Sequence, residues 1–190
     1  MANTCKAEFL GELQRRFGEL NKMSGSDSLF KLGDDAARIY VRYSKVHPGG
    51  RTFFGLRGVD LRELEGHNSF LCFLLNDGSE PLIIPYCDFE EVFRAATAAS
   101  DGQYKVQLNR RDSLELYVAR QGWFNVEGYV GFGGIDRSLT AARLRPALEL
   151  SHSQVQTMLA NVGSSKGMTS SCRPVMWGGW TGHWPENSKP

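Results

Sequence analysis

The spacing of apolar residues changes period several times along the chain, and each change marks a different element. Over residues 5 to 23, Phe9, Leu13, Phe17 and Leu20 recur at helical intervals, with Lys6, Glu12, Arg15, Arg16 and Glu19 on the remaining faces. This pattern predicts an amphipathic helix covering one end of a core. Ser24-Gly-Ser-Asp-Ser28 ends it. Next, Ile39 and Val41 alternate with Tyr40, Arg42 and Ser44, which predicts a strand with one core face and one polar face. Pro48-Gly-Gly50 separates this run from Arg51-Thr-Phe-Phe-Gly-Leu-Arg57, so the pair reads as a hairpin or as a long arm between strands.

Residues 59 to 65 predict a short helix capped by Gly66. Ser69-Phe-Leu-Cys-Phe-Leu-Leu75 is apolar without alternation, the mark of a central strand buried on both faces. Asn76-Asp-Gly-Ser79 supplies a turn, and Pro81-Leu-Ile-Ile-Pro85 a second short strand. Asp88 is positioned to cap a helix whose inner face carries Phe89, Val92 and Phe93. From Gln103 to Asn109 the alternation is strict, with Tyr104, Val106 and Leu108 opposed to Gln103, Lys105, Gln107 and Asn109. Arg110-Arg-Asp-Ser113 connects this run to Leu114-Glu-Leu-Tyr-Val-Ala119, predicting an antiparallel hairpin with a polar face. Trp123, Phe124, Val126, Tyr129 and Val130 read as a core-closing segment. Ser151 or Ser153 would cap a last short helix around Val155 to Leu159.

Many short strands with frequent turns argue for a mixed, β-dominated barrel or pseudobarrel rather than a parallel sheet. The expected division is an N-terminal helix and connector over 1–30, the barrel over 31–162, and a Gly/Ser/Trp-rich tail or linker over 163–190.

With 190 residues the chain can build one real core. A net charge of +1 and a pI of about 7.7 give no global push toward nucleic acid, so that case rests on local charge. Arg38, Arg42, Lys45, Arg51 and Arg57 fall in one stretch, with no acid between Asp35 and Asp60. A basic, aromatic-laced arm of this kind suits phosphates and base edges, and equally a solvated edge strand. No apolar run approaches the ~20 residues that span a bilayer, and the start of the chain has no hydrophobic signal core. Cys5, Cys72, Cys87 and Cys172 are scattered without CxxC spacing. A cytoplasmic, disulfide-free protein is expected.

Catalytic patterns are sparse. The nearest approach to a metal-dependent nuclease core is Asp88 or Asp101 with Gln103-Tyr-Lys105, a loose fit with no buried carboxylate pair beside it. His47, His67, His152 and His183 have no ligand spacing. No nucleophile elbow and no phosphate-binding loop occurs. What remains is two polar arms, about Arg42 to Arg51 and Gln103 to Ser113. Their side chains are those of major-groove readout: Arg and Lys for guanine, Asn and Gln for adenine, Asp and Glu for cytosine.

Pro81-Leu-Ile-Ile-Pro-Tyr-Cys-Asp-Phe-Glu-Glu-Val-Phe93 and Glu115-Leu-Tyr-Val-Ala-Arg-Gln-Gly-Trp-Phe124 resemble the "apolar strand, Ile-Pro, short helix ending in Phe" and the "strand into Gly-Trp" of the B3-type DNA-binding pseudobarrel. That fold occurs in plant transcription factors and in the recognition domains of EcoRII-type and BfiI-type restriction endonucleases. The likeness covers about residues 38 to 130 and fits the restriction branch better, since the plant branch's other motifs are missing. It implies a seven-stranded open β-barrel with two short helices and double-stranded DNA as partner. It also implies an N-arm carrying Arg42, Tyr43, Ser44, Lys45, His47 and Arg51, and a C-arm carrying Gln103, Lys105, Gln107, Asn109, Arg110, Arg111 and Asp112. No cofactor is expected in this chain, with Mg²⁺ entering only through a linked or separate nuclease domain. A monomer without membrane attachment is expected. The competing expectations are a nuclease using Asp88, Asp101 and Lys105, and a protein-interaction module using Trp177, Trp180 and Trp184.

Overall fold

A computed structural model describes residues 2–148, except 49, 111 and 112. The chain divides into two compact units, Met1–Ala147 and Leu148–Pro190, and the account below concerns the first. The expected helix around Val155 to Leu159, the tail tryptophans, Arg111 and Asp112 lie outside the described residues.

Strands dominate the elements. In order they are α1 (Ala2–Phe17), β1 (Leu20–Lys22), β2 (Leu29–Leu32), β3 (Ala37–Ser44), β4 (Phe54–Arg57), α2 (Gly58–Arg62), β5 (Ser69–Leu75), β6 (Leu82–Pro85), α3 (Glu90–Ala95), β7 (Gln103–Asn109), β8 (Glu115–Val118), β9 (Gly122–Asn125) and α4 (Gly133–Leu148). The strands form two sheets of order β1-β2-β3-β5-β6 and β4-β7-β8-β9. Neither closes, so the expected seven-stranded barrel is met by nine strands in two open sheets among the described residues.

Three layers result. On one face of the five-stranded sheet, Tyr40, Leu71, Phe73, Leu75, Leu82 and Ile84 meet Leu56, Val106, Leu108, Leu116 and Val118 of the second sheet. On the other face, Ile39, Val41, Phe70, Cys72, Leu74 and Ile83 meet Phe9 and Leu13 of α1, and Ile135 and Leu139 of α4. A strand covered on both sides needs apolar residues at consecutive positions, and all seven residues of β5 are buried. Helix α2 and the residues around α3 cover the first core with Leu61, Leu64, Phe89 and Phe93.

Several expectations change for the same reason. Tyr40, assigned to a polar face, is fully buried because β3 also lies between two layers. Burial pushes its phenol up to about 12, and its oxygen accepts the Arg57 backbone N–H at 3.0 Å. Strand β3 pairs parallel with β5, from Arg38↔Ser69 to Ser44↔Leu75. Strand β4 instead crosses to pair with β7, so residues 45–53 form an arm between sheets and not a hairpin.

The N-terminal helix stops at Phe17 because Gly18 takes φ +101°, a left-handed C-terminal stop. Leu20, read as its last apolar position, belongs to strand β1. Residue 31 falls inside β2, so the first 30 residues are continuous with the sheet. Asp88 does not cap α3, whose N-terminus has no side-chain cap; it accepts the Tyr129 hydroxyl at 3.0 Å. Among the described residues, no helix is long and apolar enough to cross a membrane.

Candidate nucleic-acid interface

Strand β4 begins where β7 ends, since the two are antiparallel with Phe54↔Val106 and Arg57↔Gln103 in register. The segment before β4 and the segment after β7 therefore leave from the same end of the four-stranded sheet. Thr52 fastens them together. Its side chain is buried, donating to the Leu108 carbonyl at 3.1 Å and accepting the Leu108 N–H at 2.8 Å. Arg51 precedes this clasp by one residue, and Asn109 and Arg110 follow it by one and two.

The arm itself is a tight loop. His47 N–H donates to the Arg51 carbonyl at 2.8 Å, and Gly50 N–H donates back to His47 at 3.0 Å. The His47 ring meets Phe53 edge-on at 5.7 Å. Lys45, His47 and Arg51 are exposed, as an arm reaching for a partner requires. Arg42, Tyr43 and Ser44, expected in the same arm, belong to strand β3, the first two half-buried and Ser44 buried. Ser44 is buried, accepting the Phe53 N–H at 3.0 Å and so closing the loop's base. Tyr43 packs on the helix-side core. The guanidinium of Arg42 reaches Ser28 Oγ at 3.4 Å and keeps a buried Nε.

The stretch is less basic than its sequence suggests. Arg38 is nearly buried and makes two hydrogen bonds to Asp35. That pairing holds the Asp35 carboxyl down at about 2. Arg57 stands 3.9 Å from the buried carboxylate of Asp60.

The polar face of β7 is as the alternation predicts. Val106 and Leu108 are buried, while Gln103, Lys105, Gln107 and Asn109 face outward. Lys105 is ion-paired with Asp101, whose carboxyl the Lys105 hydrogen bond holds below the usual range. Gln103 lies across β4, its amide over Gly55, where a Cβ would fall 1.8 Å from its Oε1 and make the glutamine side chain move aside. Asn109 Nδ2 contacts Glu115 Oε2 at 3.5 Å.

The turn between β5 and β6 supports both arms. Asn76 Oδ1 accepts the Val46 N–H at 2.8 Å, and Asp77 pairs with Arg110. Burial raises the Asp77 carboxyl, but hydrogen bonds from Ser79 and the Arg110 charge outweigh it and keep it ionised to lower pH than usual. Thr52, Asn76 and Asp77 escaped the sequence reading. A buried hydroxyl or a turn carboxylate has no periodic signature, although Asn-Asp-Gly was legible as a turn.

The aromatic surface was also missed. Trp123, expected in the core, is 52% exposed, and Phe53 is 53% exposed. Register sets Gln107 opposite Tyr117 and Tyr117 opposite Trp123 on the outer face. Tyr117 and Trp123 lie 4.9 Å apart between ring centroids. Phe124, Val126 and Tyr129 do join the core; Val130 is exposed.

Replacing Thr52 by Val keeps the shape and removes both clasping hydrogen bonds. It is expected to cost about 1–3 kcal/mol, read as a lowered midpoint in urea unfolding. Thr52→Ser, which keeps the hydroxyl, should retain most of that stability.

The alternative nuclease constellation gathers little. Asp101 and Lys105 form a surface ion pair, while Asp88 bonds to Tyr129. Among the described residues, no group of three or more His, Cys, Asp or Glu side chains could hold a metal ion. No family model matches the chain, nor does any curated protein or solved structure.

Proposed function

We propose that this chain is a sequence-specific reader of double-stranded DNA, the recognition module of a restriction endonuclease, working in the major groove through two arms. The observation that carries the reading is the common root of those arms. Residues 45–51 and 109–110 leave one end of one sheet, are clasped by Thr52, and share a mount in Asn76 and Asp77. Two polar arms on a fixed base can address one duplex at two positions, and rigid placement spares the ordering cost of binding.

Chain order supports the fold-level part of the proposal. Strands β3 to β9 number seven, with α2 and α3 between them, which is the inventory that the B3-type resemblance implies. On this reading α1, β1, β2 and α4 are additions to the pseudobarrel. Cleavage and its Mg²⁺ belong to a linked or separate nuclease domain, and the reader acts as a cytoplasmic monomer.

The contact residues narrow accordingly. Lys45, His47 and Arg51 act in the N-arm; Lys105, Gln107, Asn109 and Arg110 act in the C-arm. Ser44 and Tyr43 support the first arm from within. Selection from random duplexes without Mg²⁺ should enrich one short sequence, with affinity falling as salt rises. The pair Arg51→Ala plus Arg110→Ala should then weaken binding by about 30-fold or more, each arginine serving a phosphate or a guanine. Unchanged affinity in the double variant would refute the two-arm reading.

A further inference from the structure

Beside the C-arm residues of β7, the outer face of β8 and β9 carries an aromatic pair, Tyr117 and Trp123, that the two arms alone do not explain. Along β7 the outward residues read Gln103, Lys105, Gln107 and Asn109, three amides and one lysine that is paired with Asp101. Opposite Gln107 stands Tyr117, and Trp123 lies against Tyr117 at 4.9 Å. Opposite Asn109 stands Glu115. An acid here is unsuited to phosphates, but within a groove it accepts from cytosine N4. The outer face of β7 is therefore mainly amide, the chemistry of base edges and not of phosphates. A two-stranded ribbon also fits the ~12 Å major groove.

We infer that the Gln107–Tyr117 pair reads an A·T-containing step at the centre of the bound site. The Gln107 amide pairs with adenine N6 and N7, and the Tyr117 ring, braced by Trp123, covers the C5-methyl of the adjacent thymine. The inference rests on the duplex-reading function proposed above and names the bases that it favours. The methyl is the one apolar group a major groove offers, and half-exposed Trp123 and partly exposed Tyr117 are the apolar surface on this face that meets it.

The test uses the full chain and the duplex enriched by selection, replacing each thymine in turn by deoxyuridine. This removes the methyl and leaves base pairing intact. One position should lose about fourfold in affinity, the worth of a buried methyl-sized group. Tyr117→Ala should erase that loss, while Tyr117→Phe, which keeps the ring, should preserve it. Gln107→Ala should relax the preference for the neighbouring adenine by about tenfold. A selected site with no methyl-sensitive thymine overturns the inference and leaves duplex reading intact. So does a uracil penalty that persists in Tyr117→Ala. Failure to enrich any duplex overturns the recognition function itself, and this inference with it.

Discussion

Phe73→Ala is expected to destabilise the first unit by about 3–4 kcal/mol. Phe73 is 1% exposed at the centre of β5 and meets Phe54 edge-on at 4.8 Å, joining the two sheets. Truncating a buried phenylalanine costs ~3–5 kcal/mol from lost transfer energy and the cavity left behind. Phe73 also lines an existing cavity of about 320 Å³ with Leu82, Leu108 and Arg110. That opening lets the enlarged space relax or hydrate, which favours the lower part of the range. Urea unfolding followed by far-ultraviolet circular dichroism reads the effect as a lowered midpoint at unchanged slope. A loss below about 1 kcal/mol would mean that the sheets are not packed through this ring.

Leu13→Ala tests the opposite face of the same sheet. Leu13 is fully buried between α1 and the β3–β5–β6 surface, in the core completed by Ile135 and Leu139. The expected cost is about 2–4 kcal/mol, measured in the same way. The two sites lie in separate cores, so the double variant should equal the sum of the single variants within about 0.5 kcal/mol. A larger discrepancy would show that the sheet between them transmits strain. If Leu13→Ala were silent, the helix would be an attachment and not a layer.

How far the sequence announces this architecture depends on how each element is covered. Strand β5 is legible because burial on both faces forces a continuous apolar run. The β7–β8 hairpin is legible because one face stays in solvent and the alternation survives. Strand β3 misleads: with both faces covered, Tyr40 sits inside at a position whose neighbours Arg42 and Ser44 suggest a wet face. Helix α4 leaves almost no trace, since only Ile135 and Leu139 of its described side chains are buried, set among Gly133, Gly134, Asp136 and Arg137.

The candidate site divides in the same manner. Exposed polar residues on a regular strand, from Lys105 to Asn109, could be read directly. Arg38 counts as an arm cation in the sequence because the carboxylate that neutralises it, Asp35, stands just before the stretch. Trp123 departs from expectation because an aromatic residue among apolar ones is assigned to the core by pattern alone. Only pairing register puts it outside, beside Tyr117.

The turn Asn76–Asp77 belongs to neither arm, yet it bears on both. Asn76 holds the backbone of one and Asp77 the guanidinium of the other, so a loop outside both arms joins the Thr52 clasp in fixing where they stand. Lengthening that turn by a residue would disturb the Val46 and Arg110 anchors together while leaving the Thr52 clasp in place. A fold built this way keeps part of the placement of its two arms in a loop that belongs to neither.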